Sequence, residues 1–227
     1  NDHLRRVIAK YQRNKDGFCV MLLDIDDFKK INDGQGHNIG DKLLRLVAAA
    51  VQDQVRTEDL VCRFGGDEFV ILLEGRFDIL KTESLAKEIQ KAVTTPICYL
   101  NNYFSVSTSI GVDHYQSLSG MSIERTLHNA DVAMYEAKNN GGDQYFTYHG
   151  DMLQRVAHRV MMEGEVKQAL AKGQFSLSLQ PQLVAKTNKV HGFEALLRWQ
   201  HPERGMVSPD DFIPILENSE HMIELGY

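Results

Sequence analysis

The amino-acid sequence predicts an α+β fold with α/β-like alternation, built on a mixed, partly antiparallel central sheet flanked by helices. Apolar runs of strand length alternate with stretches whose apolar residues recur at helical spacing. Two of those runs, Leu60 to Phe64 and Phe69 to Leu73, are joined only by Gly65-Gly66-Asp67-Glu68. That is the pattern of a hairpin, and it excludes a purely parallel doubly wound sheet. Near Asp151 the character of the chain changes and a second, shorter segment begins.

In chain order, Leu4, Val7, Ile8 and Tyr11 predict an amphipathic helix over residues 4 to 12. Phe18 to Leu23 is a continuous apolar run closing on Asp24, which reads as a buried strand ending in carboxylates. Gly34, Gly36 and Gly40 punctuate a loop before a helix whose apolar face is Leu43, Leu44, Leu46, Val47 and Val51. After the hairpin, a helix from Ile79 to Val93 stops before Pro96, and Tyr103 to Val112 alternates as one strand. Ile123 to Lys138 is helical, with Ala130, Ala133, Met134 and Ala137 on one face, and Gly141-Gly142 ends it. A strand at Tyr145 to Tyr148 completes a first domain over residues 1 to 150. In the second, residues 151 to 227, a long helix ends at Gly173, and Phe175 to Leu179 and Val190 to Trp199 are strands. Ser208-Pro209-Asp210-Asp211-Phe212 then opens a helix with an N-cap serine and proline at the first helical position.

Acids outnumber bases by 31 to 25, a net charge of −6, which argues against a nonspecific nucleic-acid binder. A hydrophobic fraction of 43% with 25% charged residues is that of an ordinary globular protein. No apolar run approaches the ~20 residues that span a bilayer, and Asn1-Asp2-His3-Leu4-Arg5-Arg6 has no signal-peptide core. A cytoplasmic location is therefore expected, with any membrane contact made through segments outside this chain. Cys19, Cys62 and Cys98 are odd in number, lack Cys-x-x-Cys spacing and have apolar neighbours, which predicts reduced, buried thiols. His114, His128, His149 and His158 show no ligand spacing and are expected at the surface.

Asp24 and Asp26 at the end of the first strand meet Asp67 and Glu68 in the hairpin turn if these strands are neighbours in one sheet. Hard oxygen ligands at strand ends suit Mg²⁺, which takes carboxylates together with phosphate oxygens. Gly65 and Gly66 leave room for a triphosphate against the hairpin backbone. These are the parts of a metal-assisted nucleotidyl-transfer site. Taken singly, each acid is equally well a solvated loop residue, because turns favour Asp and Gly.

The spacing distinguishes the two readings. Asp24-Ile25-Asp26-Asp27-Phe28-Lys29-Lys30-Ile31-Asn32-Asp33, then Gly36-His37 and Gly40-Asp41, then Arg63-Phe64-Gly65-Gly66-Asp67-Glu68-Phe69 closely resembles the GGDEF family of diguanylate cyclases. The resemblance runs from Leu4 to Tyr148 and includes Ser109-Ile110-Gly111-Val112 and the stretch from Ala130-Asp131 to Tyr135, Ala137 and Lys138. It implies a sheet of the nucleotide cyclase and polymerase-palm type, and a reaction that joins two GTP molecules into cyclic di-GMP with release of pyrophosphate. By resemblance, Asp24, the Ile25 carbonyl, Asp67 and Glu68 bind Mg²⁺ or Mn²⁺. Asp67 accepts the proton with help from Glu68, and Lys29 stabilises charge on the phosphates. Asn32 and Asp41 match the guanine-reading pair; a carboxylate and an amide suit the donors on guanine, which adenine lacks. Phe28, Gly65, Gly66 and Lys138 are carried over as substrate contacts. His37 is either a nucleotide contact or a hydrogen-bonding residue of its turn. Arg56-x-x-Asp59 matches the inhibitory site at which cyclic di-GMP binds. Because each protomer presents one GTP, a homodimer is expected for catalysis.

Two departures from the family pattern stand out. The chain begins just after the place of the family's Asp-x-Leu-Thr-Gly-Leu turn, and Gly142 replaces the arginine of its Gly-Arg-Asn. Loss of one charge-assisted phosphate contact costs ~1.5 to 3 kcal/mol, so a weak or regulatory GTP-binding or cyclic di-GMP-binding module is the alternative expectation. Beyond residue 150, Gln180-Pro181-Gln182, the run Gly192 to Pro202 and Ser208-Pro209 with Phe212-Ile213-Pro214 resemble the start of an EAL domain, a cyclic di-GMP phosphodiesterase. In that family Glu194 binds a metal, and Gln180 and Arg198 touch the dinucleotide. An EAL domain resembles a (β/α)₈ barrel of ~250 residues, so this segment is expected to be a truncated piece without phosphodiesterase activity of its own.

Overall fold

The computed structural model describes residues 17–74, 78–99, 102–115 and 122–217, and the helix expected over residues 4 to 12 lies outside them. The chain divides into two compact units, residues 1–153 and 154–227.

The first unit is organised around β1 (Phe18–Ile25), in which every residue is buried. Its alternate side chains enter two separate cores. Cys19, Met21, Leu23 and Ile25 pack with Leu43, Leu44, Val47 and Val51 of α2 (His37–Gln52) and with Ala86, Ile89 and Val93 of α3 (Ile79–Thr94). Phe18, Val20 and Leu22 pack on the opposite face with Ala130 and Met134 of α4 (Ile123–Asn139), and the Phe18 ring stacks on Tyr115 with 4.6 Å between centroids. A strand covered on both faces reads as an unbroken apolar run, which is why its sequence does not alternate.

β2 (Leu60–Gly65), β3 (Glu68–Glu74), β6 (Thr108–Tyr115) and β7 (Tyr145–Thr147) complete a five-stranded sheet in the order β2-β3-β1-β6-β7. All neighbours are antiparallel except β6 and β7, so the sheet is mixed as expected. The register sets Asp24 opposite Glu68 on one side and opposite Ser109 on the other.

Three local features depart from the sequence reading. Residues expected to form a glycine-marked loop instead form α1 (Phe28–Gln35), a polar helix that buries only Phe28. The run Tyr103 to Val112 is interrupted: β5 (Asn102–Phe104) pairs with β4 (Ile97–Tyr99) in a separate two-stranded ribbon, and β6 begins at Thr108. The break lets the Ser107 carbonyl accept from the Asp26 amide at 3.0 Å. His114 is half-buried rather than at the surface, and its Nε2 lies 3.0 Å from Thr82 Oγ1, whereas His128, His149 and His158 are exposed. Among the thiols, Cys19 is buried and Cys62 half-buried, both unbridged, while the Cys98 side chain lies outside the described set.

The second unit contains most of α5 (Met152–Ala171), a three-stranded antiparallel sheet of β8 (Phe175–Leu183), β9 (Val190–His201) and β10 (Gly205–Val207), and α6 (Pro209–Glu217). Its core gathers Trp199, Phe212, Val207, Met162 and Val166, with Trp199 donating from Nε1 to Gln174 Oε1 at 3.1 Å. Leu177, Leu179 and Phe193 remain largely exposed. No closed barrel forms over these residues. Among the described residues no helix is long and apolar enough to cross a membrane.

Gly111 on β6 lies directly against α4. A Cβ there would stand 1.9 Å from the Ala130 carbonyl oxygen and 2.3 Å from the Met134 nitrogen, both backbone atoms of α4. Neither can yield without moving the helix, so Gly111→Ala is expected to lower stability by about 3 kcal/mol in urea unfolding. A loss under a quarter of that would show that α4 is free to shift. Burial holds the His114 imidazole below its ordinary value, with Asp113 and Glu83 opposing the shift. Its contribution to stability is complete above about pH 6.5 and is lost as pH falls toward the lowered folded value. Asp113 acts in the opposite sense: burial raises its carboxyl, so its contribution is greatest at low pH and is lost as pH rises through the raised value. In thermal melts between about pH 7 and pH 5, His114→Gln should flatten the acid-side decline; an unchanged slope would assign the decline to other groups.

Candidate functional site

The site begins at the carboxyl end of β1. Asp24 is only 5% exposed, and the Lys138 ammonium on the last turn of α4 lies 2.7 Å from its Oδ2. Burial raises the Asp24 carboxyl to about 6; the Asp67 and Glu68 charges add to the rise and the Lys138 interaction opposes it. Of the four carboxylates expected to act together, Asp24, Asp67 and Glu68 are therefore within electrostatic reach of one another.

Asp67 and Glu68 are held by a two-residue turn between β2 and β3, with Gly66 at its first central position and φ of +51°. That is the position where hairpin turns favour glycine. The ladder slips between Arg63 and Gly65, which leaves Phe64 half-exposed at 51%, and Arg63 Nε donates to the Gly66 carbonyl at 2.8 Å. Arg63 thereby braces the turn from beneath, a role its place in the motif did not announce.

The guanine-reading candidates come together through a glycine. A Cβ on Gly40 would stand 2.0 Å from Asn32 Oδ1 and 3.1 Å from Phe28 Cζ, so only glycine lets α2 settle on the Asn32 amide. Asn32 Oδ1 is buried there with no hydrogen-bond partner. The next residue, Asp41, is exposed and lines a groove of about 350 Å³ with Leu44, Arg45, Val61, Arg63 and Phe69. Lys29 and His37 are exposed on α1 and at the start of α2.

Asp26 lies just beyond β1. Its Oδ1 accepts from Ser109 Oγ at 2.7 Å and its Oδ2 from the Asp143 amide at 2.9 Å. Sequence reasoning missed Ser109 and Asp143 because nothing local ties either to the first strand. Gly142, the position where the family pattern has arginine, has φ of +69°, and a Cβ there would stand 2.9 Å from Asp26 Oδ2. An arginine substituted at this position meets a strained backbone and a displaced Asp26, so it would not act as a simple restoration of a phosphate contact.

The metal donors fit by chemistry rather than as a finished cage. Among the described residues no group of three His, Cys, Asp or Glu side chains is arranged to hold a metal ion. Asp24 instead meets Lys138. A carboxylate raised by burial, and further by two like charges, is an environment that added positive charge stabilises, and the donors are the hard oxygens that Mg²⁺ accepts.

Two further groups of candidates remain. Asp59 is buried, accepting from the Arg56 amide through Oδ2 and from the Glu74 amide through Oδ1, each at 2.9 Å. The Arg56-x-x-Asp59 segment is therefore a turn locked by its own aspartate, with the Arg56 side chain exposed. In the second unit, Gln180 and Glu194 are direct cross-strand partners and both are exposed, while half-buried Arg198 donates to the Leu197 carbonyl at 3.0 Å.

Comparison with known proteins supplies the family. Residues 1–144 match "Diguanylate cyclase, GGDEF domain" and residues 163–227 match "EAL domain". The chain is 34% identical over 226 residues to the bifunctional diguanylate cyclase/cyclic di-GMP phosphodiesterase MucR of Pseudomonas aeruginosa, covering all of this chain and 33% of that protein. It is 36% identical over 201 residues to the cyclic di-GMP phosphodiesterase NbdA of the same organism, covering 88% of this chain and 25% of that one. The crystal structure of the GGDEF domain of DgcB from Caulobacter crescentus, in complex with c-di-GMP, superposes with a TM-score of 0.58 at 27% identity, covering 64% of this chain and 86% of that one. The chain thus spans a third or less of the length of these two relatives. The sheet order, the hairpin that carries Asp67 and Glu68, and these matches agree: the chain belongs to the GGDEF family of diguanylate cyclase domains and continues into part of an EAL domain.

Proposed function

We propose that residues 1 to 150 form a diguanylate cyclase domain that condenses two GTP molecules into cyclic di-GMP and pyrophosphate with Mg²⁺ or Mn²⁺. The observation that carries this reading is the meeting of buried Asp24, its register partner Glu68 and the Lys138 ammonium at one end of the sheet. Asp24, the Ile25 carbonyl, Asp67 and Glu68 would hold the metal, which neutralises phosphate charge and eases formation of the attacking alkoxide. Asp67, with Glu68, accepts the 3′-hydroxyl proton. Lys29 and Lys138 stabilise the spread negative charge of the phosphates, and Gly65 and Gly66 admit the triphosphate to the hairpin backbone.

Asn32 and Asp41 read guanine, and Phe28 is a further substrate contact. Support comes from the seating of the Asn32 amide against Gly40, the residue that precedes Asp41. His37 stays assigned between a nucleotide contact and a turn residue. One GTP per protomer requires two sites to face each other, so the catalytic form is a homodimer. Residues 151 to 227 are read as a linker helix and the N-terminal part of an EAL domain, with Glu194, Gln180 and Arg198 as its candidate site residues. A location in the cytoplasm follows from the reaction's nucleotide substrate.

A second reading is favoured by Gly142: a nucleotide-binding module that regulates the adjoining EAL domain without turnover. It gains weight from NbdA, which is named as a cyclic di-GMP phosphodiesterase.

Incubation of the chain with GTP and Mg²⁺ should yield cyclic di-GMP and pyrophosphate, and Asp67→Ala should lower the rate by at least about a hundredfold. Tight, Asn32-dependent GTP binding without product would move the domain to the regulatory class. The Arg56-x-x-Asp59 turn is proposed as the cyclic di-GMP inhibitory site, with the Arg56 guanidinium as its anion contact. Arg56→Ala should weaken cyclic di-GMP binding about tenfold to a hundredfold by calorimetry while leaving GTP affinity unchanged; equal binding in both proteins would remove this assignment.

A further inference from the structure

We infer that the Gly141-Gly142-Asp143 loop is a latch that sets the position of the strand end carrying Asp24 and Ile25, with Asp143 as a positioning residue anchored by Gln90 and Thr94. The inference rests on the metal-and-GTP reading proposed above and assigns a role to residues that reading leaves unused.

Four observations converge on the loop. First, α4 ends in a glycine motif in which the Gly142 amide donates to the Ala137 carbonyl and the Gly141 amide to the Lys138 carbonyl. This fixes the direction in which the chain leaves the helix. Second, the same terminus makes two contacts to β1: Lys138 reaches Asp24 Oδ2, and the Asp143 amide reaches Asp26 Oδ2. These contacts bracket Ile25, whose carbonyl is the proposed metal donor between them.

Third, Asp143 adopts φ of +48°, a left-handed conformation uncommon outside glycine that aspartate adopts when its surroundings hydrogen-bond it. The surroundings come from α3. Gln90 Nε2 donates both to the Asp143 carbonyl and, at 3.0 Å, to its Oδ1, and Thr94 Oγ1 lies 3.2 Å from the same Oδ1. Fourth, Gly142 permits the close approach, because a Cβ there would stand 2.9 Å from Asp26 Oδ2. A side chain at residue 142 and an amide donated from residue 143 to Asp26 compete for the same space. In this chain Gly142 therefore serves the latch.

Gln90 and Thr94 line an open groove of about 370 Å³ with Lys87, Lys91 and Thr95. Replacing them therefore opens no buried cavity, and the latch is separable from the core. Partners that orient ligand-bearing groups typically change metal affinity about tenfold to a hundredfold when removed.

The test is the Mg²⁺ dependence of GTP binding by the full chain, measured by calorimetry in the wild type, in Gln90→Leu combined with Thr94→Val, and in Asp143→Asn. The double variant should need at least about tenfold more Mg²⁺ for half-maximal GTP binding, with metal-free GTP binding and the melting midpoint unchanged. Asp143→Asn retains the amide N–H and the Oδ1 acceptor and should behave as wild type. Hydrogen exchange of the peptide spanning residues 141 to 145 should quicken in the double variant alone. A wild-type Mg²⁺ dependence in the double variant, or an affinity loss equal with and without Mg²⁺, would overturn the latch. Failure of the underlying reading is separately visible as a wild-type chain whose GTP binding ignores Mg²⁺, and the latch falls with it.

Discussion

The carboxylate of Asp24 closes a strand that is buried on both faces, and the arrangement of the first unit answers to that placement. A carboxylate so nearly removed from water needs a compensating charge or it gives up its own. Lys138 supplies one from the end of α4, against the repulsion of Asp67 and Glu68 from the hairpin. The same burial that makes β1 the centre of the core therefore makes its end a place where positive charge is favoured. Stability and chemistry share one strand.

The elements around β1 each fix one part of that charge arrangement. The antiparallel register brings Glu68 and Ser109 to either side of Asp24. The Gly66 turn presents Asp67 beyond the ladder, braced by Arg63. Gly40 and Gly111 are contact glycines of different consequence: the first lets a helix rest on the Asn32 amide, the second lets α4 lie directly on β6. Because α4 carries Lys138, its close seating on the sheet is what brings that ammonium within reach of Asp24. A substitution that lifts the helix acts on the site without touching it.

Much of this was legible in the sequence, and the parts that were not have physical reasons. β1, β2 and β3 stand out because continuous apolar runs this short, bounded by Asp and Gly, suit a strand and are too brief for a core helix. α1 was hidden because it is polar almost throughout, contains Gly34 and follows Asp27, whose φ of +56° replaces the usual side-chain cap. The strand expected over Tyr103 to Val112 contains the right residues, but a tertiary demand breaks it: the Ser107 carbonyl is drawn to the Asp26 amide. In the site, the carboxylates announced themselves by lying at a strand end and a hairpin turn. Lys138 was carried over only as a substrate contact, since its pairing with Asp24 depends on how α4 crosses the sheet. Gln90, Thr94 and Asp143 are joined by side-chain hydrogen bonds between distant segments, and such bonds leave no periodic trace.

Everything at the site turns on Asp24 being a buried carboxylate held ionised by a neighbouring cation. The most direct test is titration of the ¹³C-labelled Asp24 carboxyl by NMR in the wild type and in Lys138→Met. Burial, with the charges of Asp67 and Glu68, should place the wild-type transition at about 6, and removing Lys138 should move it higher. A transition at the ordinary value of about 3.9, or one indifferent to Lys138, would contradict the account.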